Sequence, residues 1–277
     1  MAAPTILMCP PQHFGILYEI NPWMNRAVAA DHPTAARQWD GLQRTLAGLG
    51  VTIPRVEPQP DLPDLVFTAN AGLIHRSTAY LSRFRHPQRQ GEEPHYEAWF
   101  AAHGLTVRHL PDELFFEGAG DALFLGETLV CGYRTRSSIY AAQWLGVELA
   151  CPVLPVELVD PRFYHLDTCF CPVTPELAIW FPDAFDEYGR RAIERLGATL
   201  IAVEEDEAVR FACNSVVVGR TVVTGSGCEK LHAALAGHGF AALGTPTGEF
   251  LKAGGSAKCL TLRLDGEEAA AWKATPA

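Results

Sequence analysis

Short apolar runs rich in β-branched residues alternate along the chain with amphipathic stretches, and glycine or proline marks most junctions between them. Residues 5–9 predict a first strand. A helix is predicted over 33–49 and closed by Gly50, as a helix C-cap would be, and 51–56 returns as a strand. Residues 64–74 read as another strand with a tight partner at 78–84. A helix follows over 93–103, closed by Gly104, and 105–110 is a short strand.

The same order then recurs. Residues 121–133 predict a hairpin turning at Gly126-Glu127, followed by a helix over 137–145 closed by Gly146. A hairpin of 165–173 with 176–181 around Pro175 precedes a helix over 187–196 closed by Gly197. A third hairpin, 213–224, turns at Gly219-Arg220 before a helix over 229–236 closed by Gly237, and 259–264 is a final strand. This strand pair, helix, strand unit repeats roughly every 45–55 residues, the range in which internal repeats mean radial or stacked architectures. Strand pairs joined by short turns are antiparallel, which excludes a doubly wound parallel sheet. The pattern predicts an α/β fold of small ββαβ blades arranged radially, hairpins inside and helices outside. With no linker, low-complexity tract or composition shift, residues 1–277 read as one domain.

Composition narrows the class. Hydrophobic residues make up 48% of the 277 and charged residues 19%, proportions of a globular chain. The 32 Asp and Glu against 22 Lys and Arg give a net charge of −10, and no Lys/Arg run is present. Nucleic acid and anionic membrane are therefore poor partners. The N-terminal segment lacks a basic region and its apolar run is broken by proline, so neither a signal peptide nor an anchor is expected. Eight scattered cysteines, several in strand-like runs, read as reduced core thiols of a cytoplasmic protein.

Polar residues at the inner strand ends of a radial fold gather round its centre. Asn70, Glu117, His165 with Asp167, and Cys259 occupy such places in successive units. On a strand, His165 and Asp167 would share a face, suiting a proton shuttle beside a cation site. Glu117 stands before the glycine-rich Gly118-Ala119-Gly120. Cys259 follows Gly254-Gly255-Ser256, where a neighbouring cation could lower its thiol pKa. Each has a plain alternative as a turn carboxylate, a solvated strand start or one more buried thiol. Cys169 and Cys171 read as core, having no second Cys/His pair at ligand spacing. No dinucleotide fingerprint or P-loop is complete.

Taken in order, Phe67-Thr68-Ala69-Asn70, Glu117-Gly118-Ala119-Gly120-Asp121, His165-Leu166-Asp167 and Gly254-Gly255 with Cys259 resemble the guanidino-group-modifying enzymes. That superfamily includes arginine deiminases, dimethylarginine dimethylaminohydrolases and amidinotransferases. The segments around Met8-Cys9-Pro10-Pro11 and Asn21-Pro22-Trp23-Met24 look closest to its arginine dihydrolase branch. The resemblance implies a five-bladed α/β-propeller (pentein) needing no metal or organic cofactor, with a small-molecule substrate and a homodimer as a family-level expectation. It implies Cys259 as nucleophile, His165 as acid and base, and Glu117 and Asp167 as clamps on a guanidinium. Arg89 and Arg136, with Asn21, would receive the substrate's amino-acid end; Arg85 and Arg134 are rivals. Arginine deiminases commonly carry aspartate where Asn70 stands, and a neutral amide suits a ureido group. Hydrolysis of arginine to ornithine, carbon dioxide and two ammonia, or deimination to citrulline, is the leading expectation. Methylated arginines as substrate, an amidinotransferase, a non-catalytic propeller that only binds and, more remotely, a cysteine protease remain alternatives.

Overall fold

The structure, a computed structural model, describes residues 3–267; the ends of the expected domain, 1–2 and 268–277, lie outside it. Strand β1 (Ile6–Leu7) comes first. β2 (Gly72–His75) and β3 (Thr78–Leu81) form an antiparallel hairpin, and β4 (Thr106–Arg108) runs parallel to β3. β5 (Ala122–Leu125), β6 (Thr128–Tyr133) and β7 (Val153–Glu157) repeat the arrangement. So do β8 (Phe170–Thr174), β9 (Leu177–Trp180) and β10 (Thr199–Ala202), then β11 (Val216–Val218), β12 (Thr221–Gly225) and β13 (Ala241–Thr245). In each blade a helix returns the chain so that the third strand can run parallel to the second. These helices are Glu93–Ala102, Ile139–Leu149, Glu187–Glu194 and Glu229–Gly237.

The fifth blade is closed by distant parts of the chain. β1 pairs antiparallel with β14 (Leu262–Arg263), while Thr5 and Met8 bridge in parallel to Thr52 and Arg55. The strand expected over 51–56 is only these two isolated bridges, because Pro54 between them has no N–H to offer a ladder. The crossover helix here is His32–Gly48. Asp31 caps it by accepting Thr34 N–H at 2.8 Å, and Pro33 suits its first turn. Ala35, Trp39, Leu42 and Leu46 bury one stripe. Gly50 at φ 84° ends the segment as expected.

Several expectations need correction. Residues 64–71, read as strand, form two 3-10 turns, Pro63–Val66 and Thr68–Ala71, before β2 begins. Likewise 165–169 holds the turn Leu166–Thr168, and 259–261 precede β14 outside any strand. These apolar runs lack alternation because every residue in them is buried, so period could not tell strand from turn. Gly146 lies inside its helix, which continues to Leu149 and ends on left-handed Ala150. A side chain at Gly146 would come 2.8 Å from Val153 Cγ2, so the glycine serves packing rather than capping. The closing strand that the repeating unit implies is present in these blades as β7, β10 and β13, although the apolar pattern does not mark their bounds. They are partly exposed, and β7 and β13 include Pro155 and Gly244, residues of low strand propensity.

Turns Thr68–Ala71, Gly118–Gly120 and Leu166–Thr168 touch in succession, and β14 touches the first of them. The starts of the inner strands thus converge on one centre. Outside that ring, apolar side chains fill the space between strands and helices. Leu145, fully buried against Phe116, Phe124 and Leu129, is representative. Leu145→Ala is expected to cost about 2–5 kcal/mol, read as a lower urea midpoint. Among the described residues no helix is long and apolar enough to cross a membrane.

Candidate active site

Three clusters meet at the centre. In the first, Glu117 Oε2 accepts from Arg136 Nη1 at 2.9 Å and lies 2.8 Å from His165 Nε2. Burial by itself would push the Glu117 carboxyl up; the Arg136 guanidinium and then His165 outweigh it and hold the group well below the usual carboxylate range. The Arg136 guanidinium also donates to Ile20 O at 3.1 Å and lies over the Tyr164 ring. Asp121 braces this cluster from behind: it accepts from Ser137 Oγ at 2.6 Å and from the Leu166 N–H, next to His165, at 3.0 Å.

The second cluster contains the thiol. Cys259 Sγ donates to Asp167 Oδ2 at 3.5 Å and accepts from Asn214 Nδ2 at 3.1 Å. Burial, then the neighbouring Asp167, push the thiol pKa well up. Asp167 is itself raised to about 7, first by burial and against the pull of Lys258. His165 and Asp167 do not share a strand face: His165 is extended, whereas Asp167 sits in the following 3-10 turn. The turn separates them, one toward Glu117 and the other toward Cys259.

The third cluster joins Asn70 to Arg89. Asn70 Oδ1 accepts from Arg89 Nη1 at 2.9 Å, and its Nδ2 donates to Glu117 O at 3.1 Å. A Cβ on Gly120 would lie 2.2 Å from that Nδ2, so only glycine lets the two turns approach. Arg89 is held by both oxygens of Glu92, at 2.7 and 2.8 Å, and by Asp64 O. Asn21 lies in the stretch before the first long helix, where its side chain donates to Ala253 O and accepts from Trp23 N–H. Between the rivals, geometry separates Arg134, which is exposed and paired with Glu157, from buried Arg136. Arg85 spends its Nε on Arg136 O.

The charge balance is lopsided. Asp64, Glu92, Glu117, Asp121 and Asp167 are all buried, facing the guanidinium groups of Arg89 and Arg136, the His165 ring and Lys258, which is itself paired with Glu267. Buried charge without compensation is costly, so the centre is built to receive cationic groups. Beside it, Arg136 Nε is buried without a hydrogen-bond partner, and the Tyr18 hydroxyl lies against the Asp64 carboxyl. A carboxyl with a hydroxyl beside it and a free guanidinium donor match the ammonium and carboxylate of an α-amino acid.

Asp64, Glu92, Asp121 and Asn214 escaped the sequence reading. Asp121 closes a motif already singled out. Asn214 had a signal too, since steps of 45 to 49 residues separate Asn70, Glu117, His165, Asn214 and Cys259. Asp64 and Glu92 had none, being ordinary acidic residues in sequence. All eight cysteines are free; Cys169 and Cys171 are buried and donate to backbone carbonyls.

The family model described as N,N dimethylarginine dimethylhydrolase, eukaryotic, matches residues 19–264. The bifunctional arginine dihydrolase/ornithine cyclodeaminase AgrE of Nostoc sp. is 48% identical over 267 residues, 93% of this chain and 37% of that protein. The chain therefore spans little more than a third of the length of that relative. N(G),N(G)-dimethylarginine dimethylaminohydrolase of Mycobacterium tuberculosis is 37% identical over 93% of this chain and 84% of its own length. Among solved structures, a Cys-to-Ser mutant of the N-terminal domain of ArgZ, an arginine dihydrolase from cyanobacteria, was determined bound to substrate. It superposes with a TM-score of 0.92 at 44% identity, covering 95% of this chain and 98% of that one.

Proposed function

The chain belongs to the N,N-dimethylarginine dimethylhydrolase family, and from that premise we propose that it is an arginine dihydrolase. It would convert L-arginine and two waters to ornithine, carbon dioxide and two ammonia. The observation that carries this reading is the buried thiol set among carboxylates that outnumber their cationic partners. A guanidinium and an α-ammonium supply the missing positive charge. Similarity to proteins named as arginine dihydrolases supports the choice of arginine.

The guanidinium enters between Asp167 and Glu117, its N–H groups donating to both carboxylates. Its charge beside Cys259 favours the thiolate, which burial otherwise opposes. Sγ attacks the guanidinium carbon, the C–N bond to the terminal nitrogen breaks, and His165 gives that nitrogen its proton, so ammonia leaves. His165 then takes a proton from water, whose oxygen attacks the thiouronium carbon and expels Sγ, leaving citrulline. In the second round Sγ attacks the ureido carbon and the other terminal nitrogen leaves as ammonia with a proton from His165. The second water then attacks the thiocarbamate carbon and expels Sγ, and the ornithine carbamate so formed loses carbon dioxide to give ornithine. Asn70 assists that round because a neutral amide tolerates a neutral ureido group. At the far end Arg136 and Arg89 receive the carboxylate, while Asp64 and Tyr18 take the ammonium.

Mass spectrometry of products from L-arginine tests this: ornithine with two ammonia per arginine is expected, and citrulline alone would make the enzyme a deiminase. The second reading, hydrolysis of methylated arginine to citrulline and a methylamine, is favoured by the 37% identity to the mycobacterial enzyme. Methylamine release from methylated arginine with arginine left untouched would establish it.

Ionised Asp167 is the form that grips a cation, and burial raises its pKa to about 7. Below that pH the carboxyl is protonated and the grip is lost. kcat/KM for arginine is therefore expected to rise with pH through about 7 and level off above. A profile flat from pH 5.5 to 8 would refute the assignment.

A further inference from the structure

The fourth inner turn, between Asp167 and Cys259 in the ring, supplies a residue that the reaction above leaves unused. Asn214 is fully buried and follows Phe211, which is held at φ 60°, a conformation that bulky L-residues rarely adopt. Three hydrogen bonds fix its side chain. Oδ1 accepts the N–H of Cys259 at 3.1 Å, while Nδ2 donates to the carbonyl of Asp167 at 3.1 Å and to Cys259 Sγ at 3.1 Å. Its own carbonyl accepts Lys258 N–H at 3.2 Å. The orientation of the amide is forced: turned over, its NH₂ would meet the N–H of Cys259 and its oxygen the carbonyl of Asp167.

We infer that Asn214 is a catalytic residue whose amide N–H holds and stabilises the Cys259 thiolate. The inference rests on the reading of Cys259 as nucleophile. Asp167 also contacts Sγ, but as an acceptor it can only favour the protonated thiol, and the substrate cation draws it away. Asn214 donates to the sulfur from a side chain, beside the backbone N–H of Ser256, and a donor favours the charged form. The other ionisable groups around Cys259 are Tyr164 and, behind Asp167, the Lys258–Glu267 ion pair, with His165 adjoining Tyr164.

The variant Asn214→Asp separates structure from chemistry, because it keeps an oxygen for the Cys259 N–H and loses the donor to sulfur. The measurement is the pH dependence of Cys259 alkylation by 2-chloroacetamidine, followed by mass spectrometry of the Cys259 peptide, with Cys259→Ala as background. The apparent thiol pKa is expected to rise by about one unit or more, slowing alkylation at pH 7 about tenfold. kcat for arginine is expected to fall with little change in KM. Near-UV circular dichroism checks the fold, and Asn214→Ser, smaller and uncharged, is read the same way if the aspartate variant does not fold. An unchanged alkylation profile in a folded variant overturns the inference. Alkylation is read on the thiol whether or not arginine is turned over, so a wild-type protein that alkylates normally but yields no ornithine would count against the proposed function alone.

Discussion

Cys259→Ala is expected to bind L-arginine and release no measurable ornithine, a fall in kcat on the order of 10⁴-fold or more. The expectation follows from where the sulfur sits. In the proposed mechanism both rounds of hydrolysis pass through a bond to Sγ, and the neighbouring thiols offer no substitute: Cys169, Cys171 and Cys213 are buried among apolar side chains. Binding should survive because the groups that hold the substrate belong to other turns. Glu117 keeps His165 and Arg136, and Arg89 keeps Glu92. Removing the thiol also frees Asp167 from the S–H that it accepts. Calorimetric titration of the variant with arginine, beside product analysis, checks both halves. Ornithine formed at more than a hundredth of the wild-type rate would remove Cys259 from the mechanism.

Asn70→Asp is expected to change the product rather than the rate of the first step. Citrulline should accumulate, ammonia should fall from two toward one per arginine, and ornithine yield should drop about tenfold or more, equivalent to about 1.4 kcal/mol or more against the second attack. The amide of Asn70 does two things that a carboxylate cannot do together. Its Oδ1 meets Arg89, and its Nδ2 donates to the carbonyl of Glu117. A carboxylate keeps the first contact but turns oxygen against oxygen at the second. It also adds negative charge to a centre already rich in it, which favours the guanidinium and disfavours the neutral ureido group. Citrulline then leaves before it can be attacked again. Amino-acid chromatography during turnover reads the ratio; an unchanged ratio of ornithine to citrulline would show that Asn70 does not govern the second round.

The repeat was legible because the hairpins, the helices and the glycines at 50, 104 and 197 left their own marks, whereas Gly146 and Gly237 lie inside their helices; the polar residues inherited that period. Asn70, Glu117, His165 and Cys259 could be found that way. Asn214 stood at the fourth place of the same period, but unlike Asn70 it lies outside every motif that carries the resemblance. The sequence also misplaced geometry at the centre. Strand periodicity would align His165 with Asp167, yet a 3-10 turn lies between them, and the two side chains serve different partners. Local pattern reports burial, and inside a ring every side is buried. Asp64 and Glu92 were invisible for a related reason: only the folded ring reveals that these two acidic residues are enclosed.

The pairing of β1 with β14 has a temporal side. During synthesis β1 is made first and stays without its antiparallel partner until Leu262 and Arg263 have emerged. Pairing across almost the whole chain is slow, since the loop must close before the contact repays it. Cys259 reaches the ring on the same short segment as β14. The segment that closes the fifth blade is thus the one that carries Cys259 to the ring, so closure of the fold and completion of the proposed site coincide in the order of synthesis.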